Sequence, residues 1–103
     1  MKYFNTYSRR KENFIPLREG EVRMYTCGPT VYDFVHIGNL RTFVFEDLLR
    51  RSLEFWGYKV IQVMNLTDVE DKIIKASREK GISIYQYTEP YIKAFFEDIQ
   101  SLN

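Results

Sequence analysis

Val22-Arg23-Met24-Tyr25-Thr26-Cys27, Gly28-Pro29, Gly38-Asn39 and Gly57-Tyr58-Lys59-Val60-Ile61-Gln62-Val63-Met64 set the architecture of this 103-residue chain. The first and last segments are rich in β-formers and partly alternate, so they read as strands. Gly28-Pro29 stops the first one. Between them, Leu40, Phe43, Val44, Leu48, Leu49, Leu53 and Trp56 recur at spacings of three and four, which is the apolar stripe of a long helix. Asn39 suits its N-cap and Gly57 its C′ position. Glu46 and Asp47 precede Arg50 and Arg51 in the favourable order for i,i+4 pairs. Strand, helix, strand is a βαβ unit, whose parallel strands are joined by a right-handed crossover. The ends at Cys27-Gly28 and Asn65-Leu66-Thr67 then share the sheet edge where open α/β folds bind ligands.

Outward from this unit the signals weaken. Strands are expected near Tyr3–Tyr7 and Phe14–Leu17, with Ser8-Arg9-Arg10-Lys11-Glu12 as a charged turn and Pro16 marking an edge. Two helices should follow the second strand. Thr67-x-x-Glu70 reads as a capping box opening one at about Asp68, which runs to Lys80 and stops at Gly81. Ser83-x-x-Gln86 reads as another box, with Ile82 and Tyr87 as a staple. Pro90 suits only a helix start, which moves the expected beginning to Thr88.

Composition excludes several classes. The chain is 45% hydrophobic and 17% aromatic, enough apolar matter for a core, so whole-chain disorder is excluded. Fifteen basic against fourteen acidic side chains leave a net charge of +1, too little for binding polyanions by bulk charge. One Cys and one His make neither a disulfide framework nor a zinc finger. No apolar run approaches ~18 residues, and Met1-Lys2-Tyr3-Phe4-Asn5 does not open a signal peptide. A cytoplasmic setting without a membrane partner is expected.

Candidate chemistry concentrates in Cys27 to Asn39, between the first strand and the helix. The helix N-terminus offers unpaired N–H groups and partial positive charge, a cradle for phosphate. His36 stands where it can donate to an anion, and Gly38 lets a flat ring or a ribose approach the backbone. Each has a plainer reading. A lone loop His is as a rule polar surface, and a lone Cys at a strand end a small apolar filler. Thr67 is explained by capping alone. Asp68, Glu70 and Asp71 compensate a helix dipole more readily than they bind Mg²⁺. Tyr25, Tyr32 and Phe34 are core aromatics before they are a stacking platform.

Taken together, Cys27-Gly28-Pro29-Thr30-Val31-Tyr32-Asp33 and His36-Ile37-Gly38-Asn39 resemble the first signature of cysteinyl-tRNA synthetases, class I enzymes whose HIGH motif stands here as His-Ile-Gly-Asn. Phe4-Asn5-Thr6 with Arg9-Arg10-Lys11-Glu12, Gly57-Tyr58 with Val60, and Asn65-Leu66-Thr67-Asp68-Val69-Glu70-Asp71-Lys72-Ile73-Ile74 are similar to further blocks of that family. The resemblance covers essentially the whole chain. It implies a Rossmann-like, HUP-type α/β catalytic domain of which residues 1–103 are the N-terminal portion. It implies ATP, with Mg²⁺, as a substrate that activates L-cysteine to cysteinyl-adenylate, and transfer of the cysteinyl group to tRNA(Cys) by a monomeric intact enzyme. The ATP-binding region would be Pro29, Thr30, His36, Ile37, Gly38 and Asn39, with His36, Gly38 and Asn39 catalytic. Asn39 replaces the motif's second His, which keeps a donor and removes a cationic role. Gly28 and Thr67 would bind cysteine. Cys27 would be one Zn²⁺ ligand, the family's other ligands (a Cys, a His and a Glu) lying downstream together with its Lys-Met-Ser-Lys-Ser signature.

On that implication the chain is an incomplete fragment, expected to be inactive alone and to leave a sheet edge unpaired. The alternatives are a cysteine-activating ligase of mycothiol synthesis, a truncated non-catalytic paralogue binding cysteine or nucleotide, and a fragment without a retained ligand.

Overall fold

The computed structural model describes residues 1–102. Its central unit is strand β3 (Glu21–Thr26), helix α1 (Ile37–Phe55) and strand β4 (Lys59–Met64). β3 and β4 pair in parallel from Glu21↔Lys59 to Thr26↔Met64, as the βαβ reading requires. Gly57 takes φ +90°, a left-handed turn that costs glycine little, and this reverses the chain from α1 into β4.

Before the unit stands a hairpin of β1 (Lys2–Asn5) and β2 (Arg10–Asn13), antiparallel from Lys2↔Asn13 to Asn5↔Arg10. The second strand is therefore Arg10–Asn13, and Phe14–Leu17 is not a strand. The turn is confined to residues 6–9, where Asn5 Oδ1 accepts from the Tyr7 N–H at 3.0 Å and Arg9 adopts φ 56°. A charged ribbon held by its ladder and an Asn5–Glu12 side-chain bond buries no apolar face, so alternation could not reveal it. Phe14 meets Tyr3 and Tyr58 edge-on, at 5.7 and 5.8 Å, and so ties the hairpin to the entry of β4.

Helix α1 starts before Gly38-Asn39. Its N-cap is His36, and Asn39 is the third helical residue, bonding back to the cap. The stripe is covered only in part. Phe43 and Leu53 are buried, whereas Val44, Leu48 and Trp56 stay exposed. Asp47 takes both arginines, Arg50 at 2.8 Å and Arg51 at 2.7 Å, while Glu46 is buried and pairs with neither.

The C-terminal part is a helical hairpin, α2 (Asp71–Lys80) and α3 (Ile84–Leu102). α2 does not start at Asp68. Its N-cap is Glu70, whose carboxylate accepts from the Lys72 N–H at 3.1 Å. Thr67 is not free to cap because both its backbone groups are bonded to the loop after β3. Gly81, at φ 66°, ends α2 as expected. α3 opens with the reciprocal Ser83–Gln86 bonds, both 3.1 Å, so its start does not retreat to Thr88 and Pro90 lies inside the helix. The cap and the burial of Tyr87 and Thr88 behind it outweigh the backbone bond that Pro90 cannot donate.

The tightest core gathers Val31, Ile73 and Tyr87, with Leu66, Ala76, Ile84, Tyr91 and Ile92 packed around it. It therefore clamps the loop after β3 onto α2 and α3. Phe43 and Phe95, 5.4 Å apart, join α1 to α3. Among the described residues no helix is long and apolar enough to cross a membrane.

Candidate functional site

Parallel pairing brings the C-terminal ends of β3 and β4 side by side, and the loop between them extends the contact. The Gly28 N–H donates to Asn65 Oδ1 at 2.8 Å. The Thr67 N–H donates to Pro29 O at 2.9 Å, and the Val31 N–H to Thr67 O at 3.0 Å, with Thr30 facing Thr67 in an isolated parallel bridge. Gly28, Pro29, Thr30 and Thr67 thus form one seam. Only glycine fits at its start, because a Cβ on residue 28 would overlap the Asn65 carbonyl.

A cleft of about 310 Å³ opens beside this seam. Cys27, Gly28, Pro29 and Thr30 line one side, and Asn39, Thr42 and Phe43 of α1 line the other. Tyr32, Asp33, Phe34 and Val35 complete the wall. Cys27 is exposed, its thiol 3.7 Å from the Gly28 carbonyl oxygen. The sulfur and the N-terminal turn of α1 therefore share one opening. His36, Ile37, Gly38 and Thr67 do not line it; the first three sit at the helix tip, between the lining residues Val35 and Asn39, and Thr67 sits back in the seam, bonded to Pro29 and Val31.

The tip has a definite polarity. His36 Nδ1 accepts from the Gly38 N–H at 3.1 Å, and the His36 N–H donates to Asn39 Oδ1 at 3.2 Å. An accepting Nδ1 carries no proton, so the neutral ring carries it on Nε2. That N–H remains available to an anion at the helix N-terminus. The oxygen of the Asn39 amide is committed to the cap, leaving its NH₂ as a donor at the cleft. At Gly38 a Cβ would approach His36 Nδ1 to 3.3 Å, so the glycine leaves room for the imidazole that caps the helix.

The wall is braced from behind. Val31 is buried in the core, and the Tyr87 hydroxyl donates to Tyr32 O at 2.7 Å. Burial first, then neighbouring Tyr91, raises the Tyr87 phenol above its ordinary value and keeps the proton on this donor. Phe34 packs on Tyr91 at 5.0 Å, and Lys72 sits 5.0 Å over the Tyr32 ring. Tyr25, Tyr32 and Phe34 are all exposed, so none of the three is a core aromatic; Tyr32 and Phe34 stand at the surface of the cleft wall and brace the loop by these contacts. The sequence places Asn65 at the ligand edge and Tyr87 in a helix, but neither the Asn65–Gly28 bond nor the Tyr87–Tyr32 bond has a local signal. Glu70 is spent on capping, and among the described residues no group of three His, Cys, Asp or Glu could hold a metal ion. Cys27 alone is not a metal centre.

The family model for the tRNA synthetases class I (C) catalytic domain matches residues 13–103. The chain belongs to this family. Its strands and helices give it α/β content. The curated cysteine–tRNA ligase of Protochlamydia amoebophila is 52% identical over the whole chain, which covers 22% of that protein. The one from Chlamydia pneumoniae is 57% identical over 98% of the chain and 21% of its own length. The one from Thermococcus kodakarensis is 54% identical over 99% and 21%. The chain therefore spans about a fifth of the length of these relatives.

Proposed function

We propose that the chain is the N-terminal portion of the Rossmann-like, HUP-type catalytic domain of a cytoplasmic, monomeric cysteine–tRNA ligase. The full-length protein would activate L-cysteine with ATP·Mg²⁺ and pass the cysteinyl group to tRNA(Cys). The observation that carries this reading is the single opening shared by the Cys27 sulfur and the N-terminus of α1. The names of relatives 52–58% identical across the chain support it.

In the first step the cysteine carboxylate attacks the α-phosphorus of ATP in line and pyrophosphate leaves. Charge grows on the phosphate oxygens, so donors already aimed there lower the barrier without reorganising. His36 supplies its Nε2–H, Asn39 its amide NH₂, and Ile37 a backbone N–H at the positive end of α1, while the Gly38 N–H is held by His36 Nδ1. Pro29 and Thr30 border the nucleotide, and the missing side chain of Gly38 keeps the His36 imidazole seated on the helix tip beside it. Gly28 and Thr67 hold the amino acid at the strand ends. Cys27 would give one thiolate to a zinc ion whose other ligands come from outside these residues. Such an ion supplies a soft-ligand position that favours a thiolate over a hydroxyl.

The test uses the full-length protein and cysteine-dependent ATP–pyrophosphate exchange. His36→Ala should slow exchange about 100-fold or more, as loss of one preorganised donor does, with cysteine binding largely kept. Cys27→Ser should lower bound zinc and discrimination against serine together. Normal exchange in both variants would sink the residue roles. Exchange without charging of tRNA(Cys), but with transfer to an amino-sugar, would move the protein to another cysteine-activating ligase.

A further inference from the structure

Asn65 joins the two strand ends, and its orientation can be assigned from donors alone. The Gly28 N–H can only donate, so the atom 2.8 Å from it is the amide oxygen. The amide nitrogen therefore faces Thr67 Oγ1, at 3.1 Å. An NH₂ group can only donate, so the Thr67 hydroxyl is the acceptor in that contact and must direct its own proton elsewhere. The backbone N–H and C=O of Thr67 are already bonded, to Pro29 and Val31. The hydroxyl proton is the remaining polar function of Thr67.

We propose that Asn65 is a positioning residue that polarises Thr67, turning its hydroxyl into a dedicated donor toward an acceptor atom of the amino-acid substrate. The inference rests on the reading of Thr67 as a substrate residue given above. Asn65 also locks the distance between the two strand ends, because Gly28 lies against its backbone carbonyl. One amide thus sets both the spacing of the seam and the polarity of the group beside it.

Asn65→Asp separates the two effects. The carboxylate still accepts from Gly28 but presents an acceptor to Thr67, so the hydroxyl turns round and donates to it. In the full-length protein the KM for cysteine should rise about 10- to 100-fold, the worth of one hydrogen bond to a charged group, with the KM for ATP unchanged. Thr67→Val should do the same, the double variant should be no worse than either, and Thr67→Ser should restore the wild-type value. A purely structural Asn65 would instead give additive losses. Hydrogen exchange supplies a readout without catalysis: Asn65→Ala should speed exchange at Gly28, and Asn65→Asp should not. A wild-type KM for cysteine in Asn65→Asp, or unchanged exchange at Gly28 in Asn65→Ala, overturns the inference. A wild-type protein without cysteine-dependent exchange would overturn the proposed function instead, leaving the bond network to be judged by hydrogen exchange.

Discussion

Gly28 and Gly38 are both spaces kept for a neighbour, but the neighbours differ in stiffness. At Gly28 a Cβ would overlap the Asn65 carbonyl and come within 2.9 Å of the Met64 side chain. Backbone cannot swing aside, so Gly28→Ala should cost at least about 2 kcal/mol, read as a lower urea midpoint. At Gly38 the obstacle is an imidazole at 3.3 Å, which can rotate. Residues at this scale were unevenly legible. Cys27, Gly28, His36 and Asn39 stood out because their types are rare or conformationally special. Which ring nitrogen of His36 carries the proton, and which way the Asn65 amide faces, depend on partners up to 37 residues away in the chain.

Helix α1 carries an element-scale conflict. Glu46 lies on its inward side, 7% exposed, with Oε2 lacking a hydrogen-bond partner among the described residues. Burial raises its carboxyl above the ordinary 4.5, and a hydrogen bond from Thr26 pulls only partly the other way. A carboxyl raised on folding favours the native state while protonated, and that contribution disappears as pH climbs past its folded value. Glu46→Gln should therefore stabilise the chain by about 1 kcal/mol at pH 7, with the gain shrinking toward pH 4 in urea titrations. A gain independent of pH would contradict this. The apolar period of α1 and the β-rich runs beside it are strong local signals, which is why the βαβ unit could be read directly. Helix starts could not, because capping is decided by competition. Thr67 had the right spacing to cap α2, but the loop after β3 had already claimed its backbone.

Across the molecule, the cleft owes its shape to residues that never line it. Val31 plugs the loop into the core shared with α2 and α3, and Tyr87 holds Tyr32 from fifty-five positions along the chain. Tyr87→Phe keeps the packing and deletes the bond. It should cost about 1 kcal/mol and leave a polar carbonyl unpaired, with faster hydrogen exchange across residues 31–34 and little change in β3 or β4. Such long-range bracing has no local sequence signature, which is why the helical hairpin was foreseeable but its service to the cleft was not. The β-hairpin is arranged in the opposite way. Phe14 gives it an aromatic rivet to Tyr58, on the far side of β4 from the seam. Substitutions in the N-terminal ribbon should consequently register first at the foot of β4, a full strand's length from the binding mouth.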